Sequence, residues 1–199
     1  MEKGGPPLAT NNVEAEPPRP GTEQTRQEVS PRRWRKRLIE IGAVAITIAA
    51  IALLRLYVYE SDIVQGGSMA PGLRSGDYVL VSKVEYARKP PNRFDVITFR
   101  APGEKEVAIK RVVGLPGEWV WVFGNRVFVG GSRLEEPYAA EWRGGLSAPV
   151  WVPEDSIFVL GDNRDLSEDS RTWGPIALSS VRGRARLAYF PLNRVRLVR

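Results

Sequence analysis

The chain contains no histidine and no cysteine. The first absence removes the usual general base of serine hydrolases; the second removes thiol nucleophiles, disulfides and thiolate metal sites. Without either, the familiar zinc spacings are gone, and the expectation is no metal and no cofactor. What remains is 199 residues with 43% hydrophobic content, enough for one modest domain plus tails and too apolar for disorder throughout. A formal net charge of +6 raises the question of nucleic acid. Much of that charge is local, however, because Arg32, Arg33, Arg35, Lys36 and Arg37 stand directly before an apolar segment. Such a cluster reads as a topology signal, and no nucleic-acid partner is expected.

The apolar segment runs from Leu38 to about Val58 and is interrupted near its ends by Glu40 and Arg55, which can snorkel to the two interfaces. Its length suits a hydrocarbon core, which asks for roughly 20 residues. The basic side places the N-terminus in the cytoplasm and everything after Tyr59 outside it. A cleavable signal peptide and a buried core helix are the alternatives. Residues 1–31 carry Gly4-Gly5-Pro6-Pro7, Pro17-Pro18 and Pro20-Gly21 with few large apolar side chains, the texture of a disordered cytoplasmic tail. The expected organisation is therefore a tail over 1–31, a basic flank and transmembrane helix over 32–59, and an extracytoplasmic β-rich domain over 60–199.

Beyond Tyr59 short runs of Val, Ile, Phe, Tyr and Trp alternate with Gly, Pro, Asn and Asp, which predicts a mainly β, antiparallel body. Strands are expected at Tyr78–Val81, Asp95–Phe99, Val107–Val113 and Ile157–Leu160, with a hairpin of Trp119–Phe123 and Arg126–Val129 about Gly124-Asn125. A last strand, Val181–Leu187, alternates Arg182, Arg184 and Arg186 with apolar residues; it fits a solvated sheet face, with contact to anionic lipid headgroups as the alternative. Trp119, Trp121 and Phe123 share one side of their strand, which fits either core packing or a surface lowered onto a bilayer.

A serine nucleophile in a chain without histidine needs another base, and a lysine held neutral can serve. Ser68 lies in the turn Gly66-Gly67-Ser68-Met69-Ala70-Pro71, where its backbone N–H could face a bound carbonyl oxygen, although Gly-Ser turns are common in plain loops. Lys110 interrupts the apolar strand Val107-Ala108-Ile109, and alternation puts it on the face opposite Arg111. If Arg111 takes the wet side, Lys110 points inward and its desolvated amine loses charge. In isolation the strand also fits an edge from which Lys110 snorkels to water. The loop Gly161 to Arg171 is dense in polar groups, with Ser167 able to orient an amine and Asp169 able to pair with Arg171.

Gly67-Ser68-Met69-Ala70-Pro71, Gly76-Asp77-Tyr78-Val79, Lys110 through Gly117, and Gly161-Asp162-Asn163-Arg164 through Arg171 resemble, in order, the boxes of bacterial type I signal peptidases. The resemblance covers roughly Arg32 to Pro175. It implies a membrane-anchored serine endopeptidase of the bacterial plasma membrane that removes signal peptides through a Ser/Lys dyad. Its partners would be exported preproteins ending in small residues, membrane lipid and the protein translocation machinery. Position by position it implies Ser68 as nucleophile, Lys110 as general base and Ser167 as the hydroxyl that orients Lys110. It also implies a supporting ion-pair network of Asp162, Arg111, Asp169 and Arg171, with Met69 and Ile109 lining substrate pockets and the Ser68 backbone serving the oxyanion. Gly66 stands where many members carry a serine, and Gly72, Glu118 and Leu166 also depart from the usual pattern. A self-cleaving repressor-type protease shares the Ser/Lys logic but would carry a DNA-binding domain. A catalytically silent, membrane-tethered binding or assembly protein is the other alternative, opposed by the retention of both Ser68 and Lys110.

Overall fold

The computed structural model describes residues 31–104, 106–124 and 126–199. The tail expected over 1–31 lies, Pro31 excepted, outside the described residues. Helix α1 (Pro31–Tyr57) has 27 residues and so extends about 40 Å at 1.5 Å per residue. It begins ahead of the basic cluster, so those charges ride on its first turns. The stretch Arg33–Tyr57 has a mean hydropathy of 2.1, and none of its most apolar window is buried by the rest of the protein. That exposure removes the core-helix alternative, since a core helix hides its apolar face. The chain divides into two compact units, one ending at Val44 and the other running Ala45–Arg199.

The second unit is mainly β. Its strands in chain order are β1 (Tyr59–Ile63), β2 (Tyr78–Ser82), β3 (Val96–Arg100), β4 (Val107–Gly114), β5 (Trp119–Gly124), β6 (Arg126–Val129) and β7 (Ser132–Arg133), followed by β8 (Gly145–Leu146), β9 (Val150–Trp151), β10 (Ser156–Leu160), β11 (Ile176–Ala177), β12 (Val181–Phe190) and β13 (Arg196–Leu197). One antiparallel sheet has the order β1-β2-β12-β3-β4-β10-β11, with β13 added on β12. A smaller sheet has the order β7-β6-β5-β8, with β9 also on β5. Its hairpin pairs Val120 with Val129 and Val122 with Val127, and these four valines form one buried face with Phe158 and Leu160.

Strand β4 runs between two apolar clusters. Ile109 packs with Val79, Val81 and Met69, whereas Val112 packs with Ile97, Phe99 and Val159. Both its faces are therefore covered, and Arg111, expected on the wet side, is only 4% exposed. Two pairs of alternatives left open by the sequence are narrowed. The arginine face of β12 is ion-paired: Arg182 with Glu60, Arg184 with Asp95 (2.9 Å) and Glu85 (3.3 Å), and Arg186 with Glu85 (3.4 Å). These arginine side chains stay between 22% and 48% exposed, in keeping with a solvated sheet face, and their pairing with carboxylates weakens the ground for a headgroup contact there. The aromatic stripe of β5 is not core: Trp119 is 49% and Phe123 is 63% exposed, and Trp121 stacks on Phe128 at 5.3 Å.

Candidate active site

Ser68 sits in the turn that joins β1 to β2. Gly66 holds φ +74, and a methyl group on its Cα would meet nothing within 4 Å, so conformation and not space favours glycine there. Met69, 1% exposed, anchors the turn in the core, and Leu73 N–H donates to its carbonyl at 2.7 Å. The Ser68 carbonyl accepts from Asn163 N–H at 2.9 Å, which ties the turn to the polar loop after β10.

Lys110 enters from β4. Its amine is 2.9 Å from Ser68 Oγ, to which it donates when charged, and the residue is 6% exposed. Desolvation pushes its pKa below the ordinary lysine value, while Asp169, Glu168 and Asp162 pull the other way. A lysine in that balance carries a lone pair more readily than one in water. Lys110 is therefore inward, and the snorkelling alternative falls.

Around this pair stand buried ions. Arg111 makes a two-pronged contact with Asp162, Nε to Oδ1 at 2.8 Å and Nη2 to Oδ2 at 2.7 Å. Arg111 Nη1 also donates to the carbonyls of Phe94 (2.9 Å) and Arg199 (2.6 Å), and the Tyr138 ring lies 4.0 Å from its guanidinium carbon. Burial pushes the Asp162 carboxyl up, and the two Arg111 bonds oppose that. Asp169, fully buried, accepts from Gly161 N–H (3.1 Å) and from Arg171 Nε (2.8 Å). Arg171 in turn donates to the Arg164 (2.7 Å) and Ser167 (3.0 Å) carbonyls, closing the loop on itself.

Two expected placements differ. Met69 packs beneath the turn and does not border the cleft, because its thioether fills the cluster around Val79; Ile109 does border it. The Ser167 hydroxyl donates to the Glu168 carbonyl at 3.5 Å, not to Lys110. Sequence reasoning missed the buried pair Arg164–Glu136 and the bond from Tyr138 hydroxyl to Glu136 at 2.9 Å. No periodicity links position 136 to the loop; the polar density at Asn163-Arg164 was the one available signal.

The cleft holding Ser68 and Lys110 encloses about 560 Å³ and is bordered by Ser61 to Gln65 of the β1 region and Val107 to Lys110 of β4. β10 pairs with β4 only at Arg111, Val112 and Gly114, and β1 pairs only with β2. Among the described residues, both strands thus offer unpaired backbone toward an extended chain.

A family model described as signal peptidase, peptidase S26, matches residues 35–190. Signal peptidase I of Leptolyngbya laminosa is 36% identical over 191 residues, covering 92% of this chain and 94% of that protein. Signal peptidase I of Bacillus caldolyticus is 35% identical over 74% of this chain and 88% of its own length. Thylakoidal processing peptidase 1 of Arabidopsis thaliana is 32% identical over 81% of this chain and 52% of its own length. A crystal structure of a signal peptidase I from Enterococcus faecalis V583 shares 34% identity and covers 48% of this chain and 97% of that one, with a TM-score of 0.42.

Proposed function

This chain belongs to the signal peptidase family, peptidase S26, and from that membership we propose that it cuts signal peptides from exported preproteins with Ser68 as nucleophile and Lys110 as general base. The observation that carries the reading is the 2.9 Å contact between a buried lysine amine and the Ser68 hydroxyl. The neutral amine takes the hydroxyl proton as Oγ adds to the scissile carbonyl carbon. Oxygen charge then develops next to the Ser68 backbone N–H, which makes no hydrogen bond among the described residues. The carbon–nitrogen bond breaks, and the Lys110 ammonium returns its proton to the departing amine. Water, deprotonated by the same amine, attacks the ester and frees the serine.

Arg111, Asp162, Asp169 and Arg171 act as positioning residues, holding the Gly161 loop against the Ser68 turn. The substrate lies extended along β1 and β4, with small residues before the cut where Ile109 and Ala108 narrow the cleft. Ser167 belongs to the same site: its hydroxyl packs against Gly161 beside the Ser68 carbonyl, and we assign it to orienting the lysine amine.

Helix α1 anchors the chain in a bacterial plasma membrane with its N-terminus cytoplasmic and residues 60–199 outside, next to the translocation machinery that delivers preproteins. Exposed Trp119, Phe123 and Trp151, interspersed with Arg126 and Arg133 on the same sheet face, are chemistry suited to lipid headgroups. The test incubates the purified chain in detergent with one preprotein and maps the cut by mass spectrometry. Cleavage after a small residue, abolished in both S68A and K110A, is expected; full activity in either variant overturns the dyad.

A further inference from the structure

Strand β1 carries Glu60, Ser61 and Asp62 where an interior strand would carry aliphatic residues. Its register sets Asp62 opposite Val79 and Glu60 opposite Val81, and both valines are fully buried. Residues opposite one another share a face, so both carboxylates project to the interior side of the sheet. Glu60 is answered by Arg182. Asp62 is not: its Oδ2 is buried, and no donor reaches it among the described residues.

Thr98 repeats the pattern. It is 1% exposed, and its Oγ1 likewise has no partner among the described residues. Both side chains border the cleft that holds Ser68 and Lys110. Buried polar atoms in folded proteins are nearly always bonded, and one left alone marks either a destabilising defect or a seat for a missing donor. Two such atoms in one cleft, on separate strands, argue for the seat. The remaining charge points the same way: Glu104, Glu106 and Glu168 also border the cleft, and among its described residues the one cation, Lys110, is engaged with Ser68. Burial and the nearby Glu60 raise the Asp62 carboxyl above its ordinary range, with Arg182 opposing, as expected of an acid that lacks a close counter-charge.

Resting on the proposed cleavage of preproteins in this cleft, we propose that Asp62, with Thr98 as a second polar contact, forms a subsite for a hydrogen-bond-donating or cationic side chain on the signal-peptide segment that lies along β1. An aliphatic side chain in this place buries both oxygens with no donor and is disfavoured. A site built around a hydrogen bond discriminates against ligands that cannot complete it far more strongly than an apolar pocket rejects a polar one. The subsite thus selects among preproteins that share the same small residues at the cut.

The test uses the full chain in detergent and a peptide series in which Lys, Gln or Leu replaces, singly, each residue preceding the cut. At one position the Lys and Gln peptides are cleaved with kcat/KM about tenfold above the Leu peptide, the effect of one bond to a charged group. The ratio between peptides is read within each variant, so a general loss of activity cancels. In D62L the preference at that position is lost or inverted; in D62N the Gln peptide keeps its advantage and the Lys peptide loses it. T98V reduces the ratio by a smaller factor. An unchanged ratio in D62L overturns the subsite, and if D62L does not fold, an unchanged Lys advantage in D62N does so. Failure of the unsubstituted chain to cut any peptide overturns the proteolytic reading itself, a result distinct from cleavage without Asp62-dependent ranking.

Discussion

Gly161 lies so close to Ser167 that a methyl group on its Cα would collide with the Ser167 hydroxyl and would approach the Ser68 carbonyl oxygen to 2.6 Å. The strand end after β10, the polar loop and the nucleophile turn therefore meet at a point with no room for a side chain. In G161A one of the three must retreat, and the Ser68 turn is tied to that loop through the Asn163 bond. Displacing a reacting group by about 1 Å costs on the order of 100-fold in rate. Preprotein cleavage by G161A is expected to fall by that order, with a circular dichroism spectrum like that of the parent; near-normal rate would show that the turn does not depend on this contact.

The pH dependence follows from the Lys110 amine. Its pKa is lowered by burial, so the neutral, proton-accepting form is already present below the ordinary lysine range. The rate rises with pH through that lowered pKa and is lost as pH falls through it. Glu168 opposes the lowering, so E168Q lets the pKa drop further and moves the acid limb of the kcat/KM profile to lower pH. A limb that stays in place, or moves upward, contradicts this assignment of the base.

Removal of the Asp162 carboxylate leaves the buried Arg111 guanidinium without its two-pronged partner. Breaking one half of a buried pair costs about 3–5 kcal/mol. D162A should therefore lower the thermal midpoint strongly as well as the cleavage rate. Its effect on stability, read by melting in detergent, should exceed that of R133A, because the Arg133–Glu135 pair is exposed at 3.7 Å and such pairs contribute about 0–1 kcal/mol.

The aromatic face of the smaller sheet gives a lipid-dependent prediction. Replacing Trp119 and Phe123 together by Ser removes two exposed aromatic side chains without opening the valine layer beneath. Cleavage of a preprotein embedded in anionic vesicles should fall several-fold, and cleavage of a short soluble peptide in detergent should fall less. An equal loss in both assays would point to damage within the fold.

The predicted strands Tyr78–Val81, Val107–Val113 and Ile157–Leu160 were readable because each buries a run of β-branched residues between turn formers, and the observed elements differ from them by a residue at most at either end. Strand β1 was not readable, since Glu60-Ser61-Asp62 breaks the apolar alternation that marks a strand. The inward course of Lys110 could be inferred from its apolar neighbours. The burial of Arg111 could not be read from the strand pattern, because its anion, Asp162, stands 51 residues away; the family resemblance alone placed the two in one ion-pair network. Arg164 and Glu136, 28 residues apart, were linked by neither. The resemblance implies a pocket role for Met69, but in a tight turn adjacent side chains diverge, and that of Met69 lies in the core.

The bare strand flanks of β1 and β4 carry one more consequence. Open β edges invite pairing with any stretched polypeptide, including another molecule of the same kind crowded in the plane of a membrane. Here the opening is ringed by Asp62, Glu104, Glu106 and Glu168. Two such mouths brought together would confront carboxylate with carboxylate among the described residues, a repulsion that would discourage the protein from sticking to itself.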